Sequence, residues 1–140
     1  MRALGILALA SAAVLGGCAS GVEGENQVAI RAATRALEGF MSAVRDGDCK
    51  AAHAAFSWRS RAERPLAAFE ADYAAHREYF QRMAAGKVSG GQYDGFSVIL
   101  KVLNGQGGLE FVSMIPEDRG WHVDAMGRNY PDVVAQRPGR

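Results

Sequence analysis

His76 completes an apolar repeat. With Leu66, Phe69, Tyr73, Phe80 and Met83 it falls at spacings of 3, 4, 3, 4 and 3. An imidazole facing an apolar interior can have a tuned pKa and act as a general acid or base. Tyr73, one turn earlier, is the second titratable group on that stripe. A lone histidine in such a place is more commonly a hydrogen-bonded core or rim residue, and Tyr73 and Tyr79 also serve as amphipathic fillers. His122 and Asp124 form a further pair, but they alternate with Trp121 and Val123 and are expected to point away from the core. Cys49 begins a helix just after Asp48. The helix dipole would lower its thiol pKa while Asp46 and Asp48 oppose that, so a buried, inert thiol is expected. His53, His76 and His122 lack metal-ligand spacing, and neither HExxH nor CxxC occurs. The glycines at 90–91 and 105–108 lack the Lys-Ser/Thr and strand–helix context of a phosphate loop. No cofactor or metal is expected.

The elements that would position these groups come in two periods. Ile30, Ala33, Leu37, Phe40 and Val44 predict a helix over about 27–45, stopped at Gly47, with Asp48 capping a short helix from 49 to about 56. Residues 57–64 read as a polar loop. Within it Arg59, Arg61 and Arg64 around Glu63 read as a solvated basic patch. Pro65 opens a third helix that runs to Gly86. From there the period becomes two. Residues 87–93 form a weak strand broken by Gly90-Gly91, 96–103 a strong one and 109–115 a third, after a hairpin at Asn104-Gly105. Residues 121–125 form the last strand, with Trp121 expected to be buried against the third helix. Helices first and an antiparallel meander second is an α+β order, with the helices packed on a curved antiparallel sheet of about four strands. Residues 127–140 read as a flexible tail.

The start of the chain carries a separate signal. Arg2, an apolar run over 3–14 and small residues before Cys18 have the form of a secretory signal. The run is too short to span a bilayer, which takes about 20 apolar residues. Leu15-Gly16-Gly17-Cys18 resembles the bacterial lipobox. That resemblance implies a signal peptide of residues 1–17, cleavage before Cys18, and lipid on its thiol. An ordinary secretory signal cut after Ala10-Ser11-Ala12 is the other reading, and it would leave a very short apolar region. Ala19, where an aspartate would favour inner-membrane retention, implies the outer membrane, facing the periplasm. Residues 18–26 then read as a tether and 27–126 as the domain.

Removing residues 1–17 from 140 leaves 123, with Arg2 the only charge lost, so fifteen basic residues face fifteen acidic ones. That length suits one domain. Neutrality argues against nucleic acid as a partner. With Cys18 lipidated, Cys49 has no partner for an intramolecular disulfide, and the core must supply the stability.

Several stretches together resemble the nuclear-transport-factor-2-like, cystatin-like cone fold. They are Phe40-x-x-Ala43-x-x-x-Gly47-Asp48-x-x-x-Ala52, Phe56-Ser57, the strand 98–103 and Gly120-Trp121-His122-Val123. The likeness covers about 27–126 and rests on packing and turn signals. The fold hosts isomerases, dehydratases and non-catalytic binding modules alike, and none of the catalytic motifs matches residue by residue. Two functions follow as expectations. The first is a non-catalytic envelope lipoprotein that binds a small apolar molecule, a peptide or another envelope protein. The second is a lipid-tethered isomerase or dehydratase using a pocket acid or base such as His76. A cone filled by Phe, Tyr and Met side chains favours the first, and an open pocket with converging titratable groups favours the second. Ile99 and Leu103, on the second face of the strongest strand, leave homodimerisation open.

Overall fold

The first helix, α1 (Ser20–Asp46), owes its position to one stripe: Ala33, Leu37, Phe40, Met41 and Val44 are all buried. The computed structural model describes residues 20–136, so the expected signal segment and Cys18 lie outside the described residues. At the other end of α1, Gly47 takes a φ of +71°, which lets the Asp48 N–H reach the Ala43 carbonyl and close the helix. The Asp48 carboxylate then accepts from the Ala51 N–H and starts α2 (Cys49–Ala54).

Four expectations about where the helices lie need correction. Helix α1 is already formed at Ser20, so residues 20–26 of the stretch expected as a tether are helical. Its residues Gly24, Val28 and Ala29 lie beside Tyr93 and Trp121, which support the helix upstream of residue 27. The expected loop holds α3 (Trp58–Glu63), capped by the Ser57 side chain, which accepts from the Ser60 N–H. The single long helix is two, α4 (Leu66–Ala75) and α5 (Arg77–Ala84), because His76 leaves helical geometry at φ −122° and ψ 30°. That bend turns Phe69 and Tyr73 on one side, and Phe80 and Met83 on the other, into the same core. The expected tail holds α6 (Tyr130–Ala135), whose Val133 is fully buried against Ile99 and Ala125.

The sheet is the expected antiparallel meander, β1 (Lys87–Tyr93), β2 (Val98–Leu103), β3 (Leu109–Glu117) and β4 (Gly120–Gly127), in that spatial order. The helices pack on it, which gives the α+β fold. Val98, Leu100, Val102, Val112, Met114 and Val123 face α1, α4 and α5, and α6 covers part of the opposite face. Gly91 has a packing reason. A Cβ there would stand 2.7 Å from a Leu100 methyl and 3.3 Å from Ile30, so only glycine lets α1 lie this close to β1. Bulges interrupt the ladders at 88–90 in β1 and opposite Ser113 and Met114 in β4. Trp121 is half-buried against Tyr93, ring centroids 6.3 Å apart, and against α1, not against the helices that replace the expected third one.

Candidate functional site

Just after α2 the chain runs beside β4 as a short parallel bridge. Ser57 N–H donates to the Val123 carbonyl, and Val123 N–H donates to the Ala55 carbonyl. This bridge delivers Phe56 to the core and Ser57, Arg59 and Ser60 to the edge of the last strand. There they meet Asp124, whose side chain has no exposure to solvent. The Ser57 hydroxyl donates to its Oδ1 at 2.7 Å, Arg59 Nη2 donates to its Oδ2 at 2.7 Å, and the Ser60 hydroxyl donates to its backbone carbonyl. The hydrogen bond to Asp124 pushes the Arg59 guanidinium further toward its charged form, against a smaller cost of burial. Arg59 Nη2 also donates to the Gln136 carbonyl, which ties the end of α6 to the site.

Next to this network is a cavity of about 210 Å³. Phe56, Phe69, Phe80 and Met126 line it with apolar surface, while His53, Ser60, Arg64 and Asp124 provide its polar rim. The His53 ring stands 6.0 Å from that of Phe69, and its Nε2 is 2.8 Å from the Arg64 carbonyl. Every polar group named on this rim therefore already has a protein partner through its side chain, Arg64 by an ion pair with Asp72 at 3.3 Å. The arrangement can hold a small molecule by shape. It presents no free acid–base pair.

The residues singled out in the sequence do not come together here. His76 is exposed at the α4–α5 bend, away from the apolar interior in which it was expected. Tyr73 is buried, but its hydroxyl donates to the Val44 carbonyl and accepts from Gln81 Nε2 at 2.7 Å, a bracing role between α4, α5 and α1. Asp124 corrects the expectation of an outward-facing residue: the bulge in β4 upsets strict alternation and α3 covers the strand edge. His122 is half-buried, with its Nδ1 buried and lacking a protein partner, as is Ser113 Oγ. Burial pushes the Cys49 thiol up, and the Glu70 and Asp48 carboxylates add to it, so the inert form is favoured. Arg59, expected in a solvated patch, is the counter-ion of a buried carboxylate.

Compared with family models, curated proteins and solved structures, this chain matches none. Among the described residues no group of three His, Cys, Asp or Glu could hold a metal ion, and no helix is long and apolar enough to cross a membrane.

A second buried carboxylate lies across the core. Glu110 accepts from the Tyr79 hydroxyl and from Arg128 Nε, both at 3.3 Å, and the Arg128 guanidinium stands 5.9 Å over the Tyr79 ring. Burial first, and then the Glu110 charge, pushes the Tyr79 phenol up to about 12. In the unfolded chain it would ionise near 10. The stabilisation from keeping this phenol neutral is present below about pH 10 and is lost as pH rises toward about 12. One tyrosine is therefore expected to resist phenolate formation in an absorbance titration, and Tyr79→Phe should remove that late step. A wild-type titration in which every tyrosine ionised near 10 would contradict this.

Proposed function

We propose that this chain is a lipid-anchored cell-envelope protein with a cone-type domain of the nuclear-transport-factor-2-like kind, and that the domain binds rather than catalyses. The observation that carries the reading is the filled interior. Phe40, Phe69, Leu37, Met83, Leu100 and Met114 are each less than 2 % exposed, and Tyr73 and Phe80 close the space around them. Beside this core the Asp124 network borders a cavity of about 210 Å³, below the roughly 300–1,000 Å³ usual for drug-sized ligands. Its occupant is accordingly a small molecule, its apolar part against Phe56 and Met126 and its polar part toward His53, Ser60 and Arg64.

Anchorage rests on Leu15-Gly16-Gly17-Cys18 after the apolar run, and Ala19 favours the outer membrane. Cys18→Ser is expected to give an uncleaved or soluble species. Metabolic labelling with a fatty-acid analogue checks this, and a mutant labelled as strongly as the wild type would sink the lipid anchor. Binding is tested by native mass spectrometry of protein taken from its own membranes. A low-mass adduct is expected, and its absence at saturating protein recovery would count against a small-molecule site.

A further inference from the structure

Both exposed tryptophan and phenylalanine side chains of the described residues lie at one end of the molecule. Phe96, 53 % exposed, sits in the turn between β1 and β2, directly after Tyr93. Trp58, 67 % exposed, begins α3, and its N–H donates to the Glu117 carboxylate beside the β3–β4 turn. Because Val98 pairs with Met114, and Pro116 with Trp121, those two turns stand at the same end of the sheet. Helix α1 starts there too. Its Gly24, Val28, Ala29 and Ala32 form an apolar groove with Tyr93 and Trp121, and Val28 is 58 % exposed. The remaining exposed large hydrophobics, Leu103, Leu109 and Tyr130, lie elsewhere and include no tryptophan or phenylalanine.

The decisive point is that α1 is already helical at Ser20, the first described residue. Ser20 is two residues from Cys18, and two residues span at most about 7 Å. A lipid on Cys18 therefore places this aromatic end, not a long tether, next to the bilayer. We propose that this end of the domain docks into the headgroup layer of the membrane that carries the lipid, with Trp58, Phe96 and Val28 as its contacts. This rests on the lipid-anchor reading given above. Tryptophan and other amphipathic aromatics favour that layer. So short a link makes the second contact nearly intramolecular, and weak apolar contacts suffice. The charges near these contacts are Glu25, Asp94, Glu117 and Asp118 against Arg119, with Arg31 and Arg61 one helical turn after Val28 and Trp58, so no basic excess gathers here. Attraction to anionic lipids is therefore not the driving force, and docking should survive high salt on neutral vesicles.

The test uses the full lipidated chain, extracted from membranes and reconstituted into phosphatidylcholine vesicles. The sequence has two tryptophans, Trp58 and Trp121, so Trp121→Phe leaves Trp58 as the sole reporter. Flotation reads anchorage, and quenching by nitroxide-labelled lipids reads docking. In the floated fraction, Trp58 should lose most of its emission to a nitroxide near the headgroup and less to one deep in the chains. The loss should be unchanged at about 1 M salt, where charges are screened within roughly 3 Å. Phe96→Ser should weaken the quenching without changing flotation. Floated protein whose Trp58 is quenched only by aqueous acrylamide overturns docking and leaves the anchor standing. Floated protein with Trp58 shielded from both quenchers also overturns it, because a second protein then covers this end. Protein that fails to float at all removes the anchor, and the docking proposal falls with it.

Discussion

Phe69→Ala is expected to remove about 3–5 kcal/mol of folding free energy, the range for losing a large aromatic from a core. Phe69 has no exposure and is the hub of the aromatic cluster. Its ring centroid lies 5.4 Å from that of Phe56, 5.8 Å from Phe80 and 6.5 Å from Tyr73. The cluster links α2, α4 and α5, so the surrounding elements cannot easily collapse into the space. Its loss would also merge with the existing cavity of about 210 Å³, adding empty volume where packing is already thin. A domain of this size has roughly 5–15 kcal/mol in total, so the variant should be marginal at room temperature. Urea titration reads the effect directly, and a variant with the wild-type midpoint would mean that Phe69 is not in the core.

Arg59→Ala is expected to cost about 3 kcal/mol, and more than Asp124→Asn costs, although both break the same pair. The asymmetry comes from burial. The Asp124 side chain has no exposure, while that of Arg59 is 31 % exposed. Without Arg59 the carboxylate stays buried with only the Ser57 hydroxyl to serve it. Without the carboxylate the guanidinium can turn to water and keep its bond to the Gln136 carbonyl. Paired urea titrations of the two variants give the comparison, and a larger loss for Asp124→Asn would show that burial does not set the balance here.

The fold class was legible because its long elements carry strong periods. The stripe from Ile30 to Val44 and the set Val98, Leu100 and Val102 in β2 face each other across the core, and both lie where they were expected. The short elements carried weaker signals. Helix α3 buries no residue, so it has no apolar period, and only Ser57 three residues before Ser60 marks its cap. Helix α6 is six residues long, and its marks are Asn129 before the start and Pro131 within the first turn. The bend at His76 has no proline or glycine to announce it, and a straight helix drawn through 66–83 put His76 on the wrong face. The Asp124 network was illegible for another reason. It joins residues 65 apart along the chain, and the bulge beside Ser113 upsets the alternation by which Asp124 would be placed.

The bridge between residues 55–57 and Val123 has a further effect, on self-association. A sheet edge with free N–H and C=O groups is a template for another chain. At the middle of β4 those groups are already used by Ala55 and Ser57, and the Asp124 carbonyl is used by Ser60. The other margin, β1, pairs with no further strand among the described residues and is bent by its bulge at 88–90. Among the described residues, two copies joining β1 to β1 would bury these margins against each other about a twofold axis. Strand addition between copies would then close at a pair and could not propagate into a fibre.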